Sequence, residues 1–193
     1  MKKIVSLLII IVLLASCNEY QKALKSEDPA LKLAMATKMY EAKNYNKAIR
    51  IFEQITSVYR GKPESENLYF MFSQSYYNTK QYYLAGYQFE SFVSSFPKSE
   101  KAQEASFLGA KSYSMLSPVY SLDQTDTSKA IEKLQAFIDT YPNSEYLGEA
   151  NSIVKNLNEK LERKVNAYPK VSCFVFHVVV IGEYNFANSS STC

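Results

Sequence analysis

Apolar and polar positions follow two different rhythms along this chain. After Lys2 and Lys3, residues 4–15 are apolar without a break except at Ser6. Further on the rhythm becomes helical. Ala48, Phe52, Ile55 and Tyr59 are echoed by Ala85, Phe89, Phe92 and Phe96, and again by Ala130, Leu134, Phe137 and Tyr141. A small residue followed by apolar residues at +4, +7 and +11 lies along one face of an α-helix, and the alanine leaves room for a neighbouring helix. Upstream of each run lies a candidate partner helix, carrying Met35, Ala36 and Met39, then Tyr69, Phe72, Ser73 and Tyr76, then Gly109, Ala110 and Tyr113. Asp28-Pro29 reads as an N-cap followed by proline at the first helical position. Gly61-Lys62-Pro63, Phe96-Pro97-Lys98-Ser99 and Tyr141-Pro142-Asn143-Ser144 mark turns into the next helix. A last helix is predicted over about 144–165, with Leu147, Ala150, Ile153, Val154, Leu157 and Leu161 apolar. The pattern predicts an all-α chain of three helix pairs (29–62, 65–98 and 100–142) plus a seventh helix.

The middle pair, from Tyr69 through Ala85 and Phe89 to Pro97, resembles the tetratricopeptide repeat, with Tyr and Phe where that motif has Trp and Leu. The alanines are 37 residues apart from Ala48 to Ala85 and 45 from Ala85 to Ala130, against the usual repeat of about 34. Three residues are extra in each inter-repeat turn. Eight more fall between the helices of the third pair, around Ser117-Pro118-Val119-Tyr120-Ser121-Leu122-Asp123. The resemblance implies a solenoid whose first helices line a concave groove. Counted from the motif, groove positions fall on Thr37 and Tyr40, on Asn67, Phe70, Gln74 and Tyr77, and on Phe107 and Lys111. Aromatics, amides and one cation there suit an extended peptide with aromatic side chains. Phe52, Phe89, Phe92, Phe96 and Phe137 are read as solenoid core.

The first apolar run is too short to span a bilayer, which takes about 20 helical residues, and fits a secretory signal. It ends in Leu14-Ala15-Ser16-Cys17, which looks like the lipobox of bacterial lipoproteins. That resemblance implies cleavage before Cys17 and acylation of Cys17, with residues 1–16 as leader and 17–28 as lipidated N-terminus and linker. Asn18, rather than Asp, follows the cysteine and points to the outer membrane. Without Lys2 and Lys3 the chain carries 20 basic against 19 acidic residues, so no basic stripe suggests nucleic acid. Between Asn18 and Val171 there is neither Cys nor His. The body therefore offers no Cys/His zinc site and no His-dependent triad, and neither a metal nor a cofactor is expected.

A lipobox joined to divergent repeats with turns reading Phe96-Pro97-Lys98-Ser99 and Tyr141-Pro142-Asn143-Ser144 resembles the BamD family, lipoproteins of the outer-membrane β-barrel assembly machine. The resemblance covers roughly residues 17–170. It implies five repeats, an outer-membrane anchor, docking to the barrel insertase BamA, and receipt of segments of unfolded outer-membrane proteins by the N-terminal repeats. After Lys170 the character changes. Residues 174–181 form an apolar, β-favouring run, and after Lys170 there is no Lys or Arg and Glu183 is the only acid. This stretch, 169–193, reads as frameshifted or truncated coding sequence, or else as a genuine short form whose tail pairs with another protein. Four functions are in play: a non-enzymatic scaffold of outer-membrane protein assembly, an envelope lipoprotein coordinating cell-wall synthesis or division, a nutrient-uptake lipoprotein in a surface complex, and, against the absence of His and Cys, an enzyme. A solenoid with an uncapped last helix is also expected to self-associate through residues 144–165.

Overall fold

The computed structural model describes residues 19–167; the leader, Cys17 and the tail lie outside the described residues. Seven helices follow one another: α1 (Pro29–Glu41), α2 (Tyr45–Tyr59), α3 (Ser65–Asn78), α4 (Tyr82–Ser95), α5 (Ala102–Ser114), α6 (Thr125–Thr140) and α7 (Leu147–Ala167). Each packs against its successor, and α1 also touches α3 as α5 touches α7. This is an all-helical solenoid of tetratricopeptide type, with α1, α3, α5 and α7 as first helices.

Local chemistry accounts for the boundaries. Asp28 caps α1, its Oδ1 accepting the Ala30 N–H at 2.9 Å, and Pro29 opens the helix without wasting a donor. The turns inside the first two pairs are copies of each other. Asn44 N donates to Met39 O at 2.8 Å and Lys43 N to Tyr40 O at 2.8 Å; Gln81 N donates to Tyr76 O and Lys80 N to Tyr77 O, both at 3.0 Å. These are the paired bonds of a Schellman ending, and they force a left-handed residue. Lysine fills that place both times, at φ 58° for Lys43 and 60° for Lys80.

Ala48, Ala85 and Ala130 are completely buried, and Phe52, Phe89, Leu134, Phe92 and Phe137 fill the core beside them. Phe96 packs against that core while remaining partly exposed. Successive repeats are stitched at equivalent places: Tyr76 OH donates to Glu53 Oε1 at 2.8 Å, and Tyr113 OH to Glu90 Oε2 at 3.1 Å. At the α4–α5 crossing, a Cβ on Gly109 would lie 3.1 Å from the Cβ of Phe89, so any larger residue would have to push Phe89 back by a few tenths of an ångström.

Two stretches differ from the sequence expectation, and a third, the long turn, falls where it was expected. Residues 19–25, read as linker, are helical. Tyr20 and Ala23 are buried against the first pair, and Tyr20 OH reaches Lys47 O at 3.4 Å. Two or three apolar positions in seven residues are too few to register as a period, yet enough to dock. The last helix begins at Leu147 instead of 144, because Ser144 Oγ accepts the Tyr146 N–H at 3.1 Å and closes a turn. Of its apolar positions only Ala150 and Leu157 are buried, since α5 and α6 cover one side. The long third turn, 115–124, is held from within by Gln124, whose Nε2 donates to Val119 O at 2.9 Å and Leu122 O at 3.0 Å. It is also held from α7, where Lys160 Nζ donates to Ser117 Oγ at 2.6 Å and Lys164 Nζ to Leu122 O at 2.8 Å.

Relieving the left-handed lysines tests this account. Lys43→Gly and Lys80→Gly should each raise stability by about 1 kcal/mol in denaturant unfolding, whereas alanine, which keeps its Cβ, should give no gain.

Candidate peptide-binding groove

The first helices stand side by side, and residues at helical spacing on their shared face meet across the gaps. Between α1 and α3 they enclose an open cavity of about 490 Å³. Thr37, Tyr40, Asn67, Phe70 and Gln74 line it, together with Leu33, Glu64, Leu68, Met71 and Lys101. Five of the eight expected groove positions thus converge on one hollow. Its floor is apolar, with Leu33 and Met71 partly exposed over the buried Leu68 and Phe70, and its rim is polar.

The rim is a linked chain of hydrogen bonds. Tyr40 OH donates to Gln74 Oε1, and Gln74 Nε2 donates to Glu104 Oε1 at 3.3 Å. Lys101 Nζ donates to Asn67 Oδ1 and stands 5.1 Å from the centre of the Phe70 ring. Burial, reinforced by Tyr45 and Glu104 nearby, pushes the Tyr40 hydroxyl above its ordinary range, so it remains a donor at neutral pH. The Asn67 side chain is bonded through its oxygen to Lys101.

The other three expected residues lie further along. Tyr77 meets Tyr82 edge-on at 5.7 Å. Lys111 Nζ is 2.6 Å from Glu149 Oε1, and that bond above all holds its pKa up. Phe107 is no open anchor, being 2 % exposed. Tyr146, from the turn before α7, stacks on it at 4.8 Å with 9° between the planes, and Phe137 packs at 5.5 Å. Phe70 is also largely covered, at 6 % exposed, by Phe89 and Phe92. Five of the positions counted from the motif meet at one hollow; the covering of Phe70 and Phe107 by later helices and by Tyr146 was not legible from it.

Leu33, Glu64, Leu68, Met71, Lys101, Glu104 and Glu149 were missed. The 37-residue offset that relates Phe70 to Phe107 also relates Phe70 to Leu33 and Asn67 to Glu104, so a stricter count along the repeat would have found those two. Lys101 precedes its helix and Glu149 belongs to an incomplete repeat, so neither carried a signal. The groove can bury an apolar side chain and hydrogen-bond a backbone.

The family described as YfiO, outer membrane lipoprotein, matches residues 28–168. The chain belongs to this family. Helices α1–α7 and all eight expected groove residues fall inside the match, and Cys17 and the helical residues 19–25 fall outside it. The chain is also 27% identical, over 121 residues, to the Outer membrane protein assembly factor BamD of Caulobacter vibrioides, an alignment covering 63% of this chain and 40% of that protein. The chain therefore spans about two fifths of the length of the relative it matches.

The burial of Phe70 separates packing from recognition. Phe70→Ala should cost about 3 kcal/mol or more in stability, while Asn67→Ala, on the exposed rim, should stay within about 0.5 kcal/mol of wild type; parallel thermal melts check both.

Proposed function

We propose that this YfiO-family chain is a non-enzymatic, lipid-anchored scaffold of outer-membrane protein assembly. Its α1–α3 hollow receives extended segments of unfolded outer-membrane proteins. The observation that carries the reading is the convergence of Thr37, Tyr40, Asn67, Phe70 and Gln74 on one cavity with an apolar floor and a rim of amides, hydroxyls and Lys101. Strands destined for a barrel alternate apolar and polar side chains. Such a segment offers one face to Leu33 and Met71 and its backbone groups to Asn67 and Gln74. The likeness to a protein named as an assembly factor supports the same role. Acylation of Cys17 would hold the chain on the outer membrane facing the periplasm, and docking to a BamA-like insertase would deliver the segment.

Labelled peptides from the terminal strands of barrel proteins, titrated by fluorescence anisotropy, test the groove. The triple variant Asn67→Ala/Gln74→Ala/Lys101→Ala should bind about tenfold or more weakly, corresponding to loss of about 1.4 kcal/mol, while its melting temperature stays close to wild type. Unchanged affinity would count against the groove. Crosslinking in cells followed by mass spectrometry tests the partners: recovery of an insertase and barrel proteins supports assembly, and recovery of wall synthases alone supports the cell-wall reading.

A further inference from the structure

The exposed apolar side chains of this solenoid are gathered at one end. In each helix pair the first helix runs towards the turn inside the pair (residues 42–44, 79–81 and 115–124) and the second runs away from it. At that end, among the described residues, lie Tyr83 and Leu84 in the first turn of α4, 64% and 40% exposed, and Tyr87 one turn further on at 60%. Met115, Val119 and Leu122 of the long third turn are exposed by 51%, 63% and 56%. Val165 joins them, because Lys164 of α7 reaches Leu122 O. The remaining large exposed hydrophobics, Leu31 and Val58, sit at the opposite end, in the first turn of α1 and the last turn of α2.

The chain enters the solenoid at the same crowded end. Glu19 Oε2 is 2.9 Å from Lys38 Nζ, in the last turn of α1, and the Tyr20 ring lies 5.2 Å beneath Lys47 Nζ, in the first turn of α2. From there residues 19–25 run back to Asp28 at the far end. Only Asn18 separates Cys17 from Glu19, so an extended link reaches at most about 7 Å.

We propose that this edge is a second membrane contact. The tether from an acylated Cys17 is so short that the turns inside the pairs must face the leaflet, and the 115–124 loop seats Val119 and Leu122 in its headgroup–acyl boundary, with Tyr83 and Tyr87 alongside. The occupant is a phospholipid surface. Tyrosine suits that boundary because its ring is apolar and its hydroxyl wet. The third turn, lengthened by eight residues, is the part of the solenoid that projects beyond a plain tetratricopeptide turn. Gln124, Lys160 and Lys164 brace it, and Arg163 packs 4.5 Å from the centre of the Tyr120 ring. It is therefore presented as a fixed surface. Lys43 and Lys80 at the other turn tips are exposed at headgroup level, with Asp123 the acid of the third turn. The proposal rests on the anchor assigned to Cys17 above. Its consequence is that the groove of first helices opens sideways, parallel to the membrane.

The chain contains no tryptophan, so single-Trp reporters are unambiguous. The full acylated chain carrying Val119→Trp or Val58→Trp is reconstituted on phosphatidylethanolamine/phosphatidylglycerol vesicles, with and without brominated acyl chains. For Val119→Trp the emission should move to the blue and fall about twofold or more with brominated lipid, as for a side chain several ångströms into the interface. Val58→Trp should show neither change. Flotation with the vesicles but no quenching at position 119 overturns the edge contact and leaves the anchor standing. A blue shift without bromine quenching means a protein covers the edge, and also overturns it. Failure to float removes the anchor and this proposal together. None of these results bears on peptide affinity in the groove, which the anisotropy titration reads by itself.

Discussion

Close approach of helices is the constraint from which the rest of this molecule follows. Ala48, Ala85 and Ala130 lie fully buried where each second helix meets its neighbours, and a Cβ on Gly109 would crowd Phe89 at 3.1 Å. Small residues at these crossings bring the backbones near enough for large aromatics on either side to interlock. Phe52 lies 5.8 Å from Phe72, Phe70 5.4 Å from Phe92, and Phe107 5.5 Å from Phe137. Interiors packed to this density do not deform gradually, so the angle between one pair and the next is set. The Tyr76–Glu53 and Tyr113–Glu90 bonds then fix the rotation of each pair upon the last.

Because that angle is set, the first helices are held in a row with their polar faces turned the same way. The hollow between α1 and α3 exists for this reason. Its lining comes from residues 33 to 101, yet Tyr40, Gln74 and Glu104 join in one hydrogen-bonded line across three helices. Such a line keeps donors and acceptors oriented before any ligand arrives, which lowers the ordering cost of binding a flexible chain. Further along, Lys111 and Glu149 close the gap between α5 and α7. The open part of the groove is accordingly the N-terminal part.

The same geometry sorts the two ends of the solenoid. The ends joined between pairs carry short turns built on Pro97 and Pro142 with Ser99 and Ser144 accepting nearby N–H groups. The ends joined within pairs carry the left-handed lysines, the long third turn, and most of the exposed apolar side chains. The docked segment 19–25 leads the chain out at that second end. The edge proposed for the membrane and the groove proposed for unfolded segments are thus built from different atoms.

Much of this was legible in the residues alone. The helices, their pairing and the identity of the core aromatics follow from a period of 3.6 and a recurring small residue, because burying an apolar face is a local requirement that every helix must meet. The family and the lipobox likeness are carried by short motifs for the same reason: their chemistry sits in adjacent residues. Three things needed the tertiary structure. Phe70 and Phe107 lie on the predicted side of their helices, but whether a ring is open depends on what later segments lay over it, and Tyr146 covers Phe107 from 39 residues away. Lys101 and Glu149 reach the concave side from a turn and from an unpaired helix, where no repeat pattern places them. The clustering of Tyr83, Val119, Leu122 and Val165 at one edge joins residues spread over half the chain, since only the antiparallel stacking of helices decides which turns share an end.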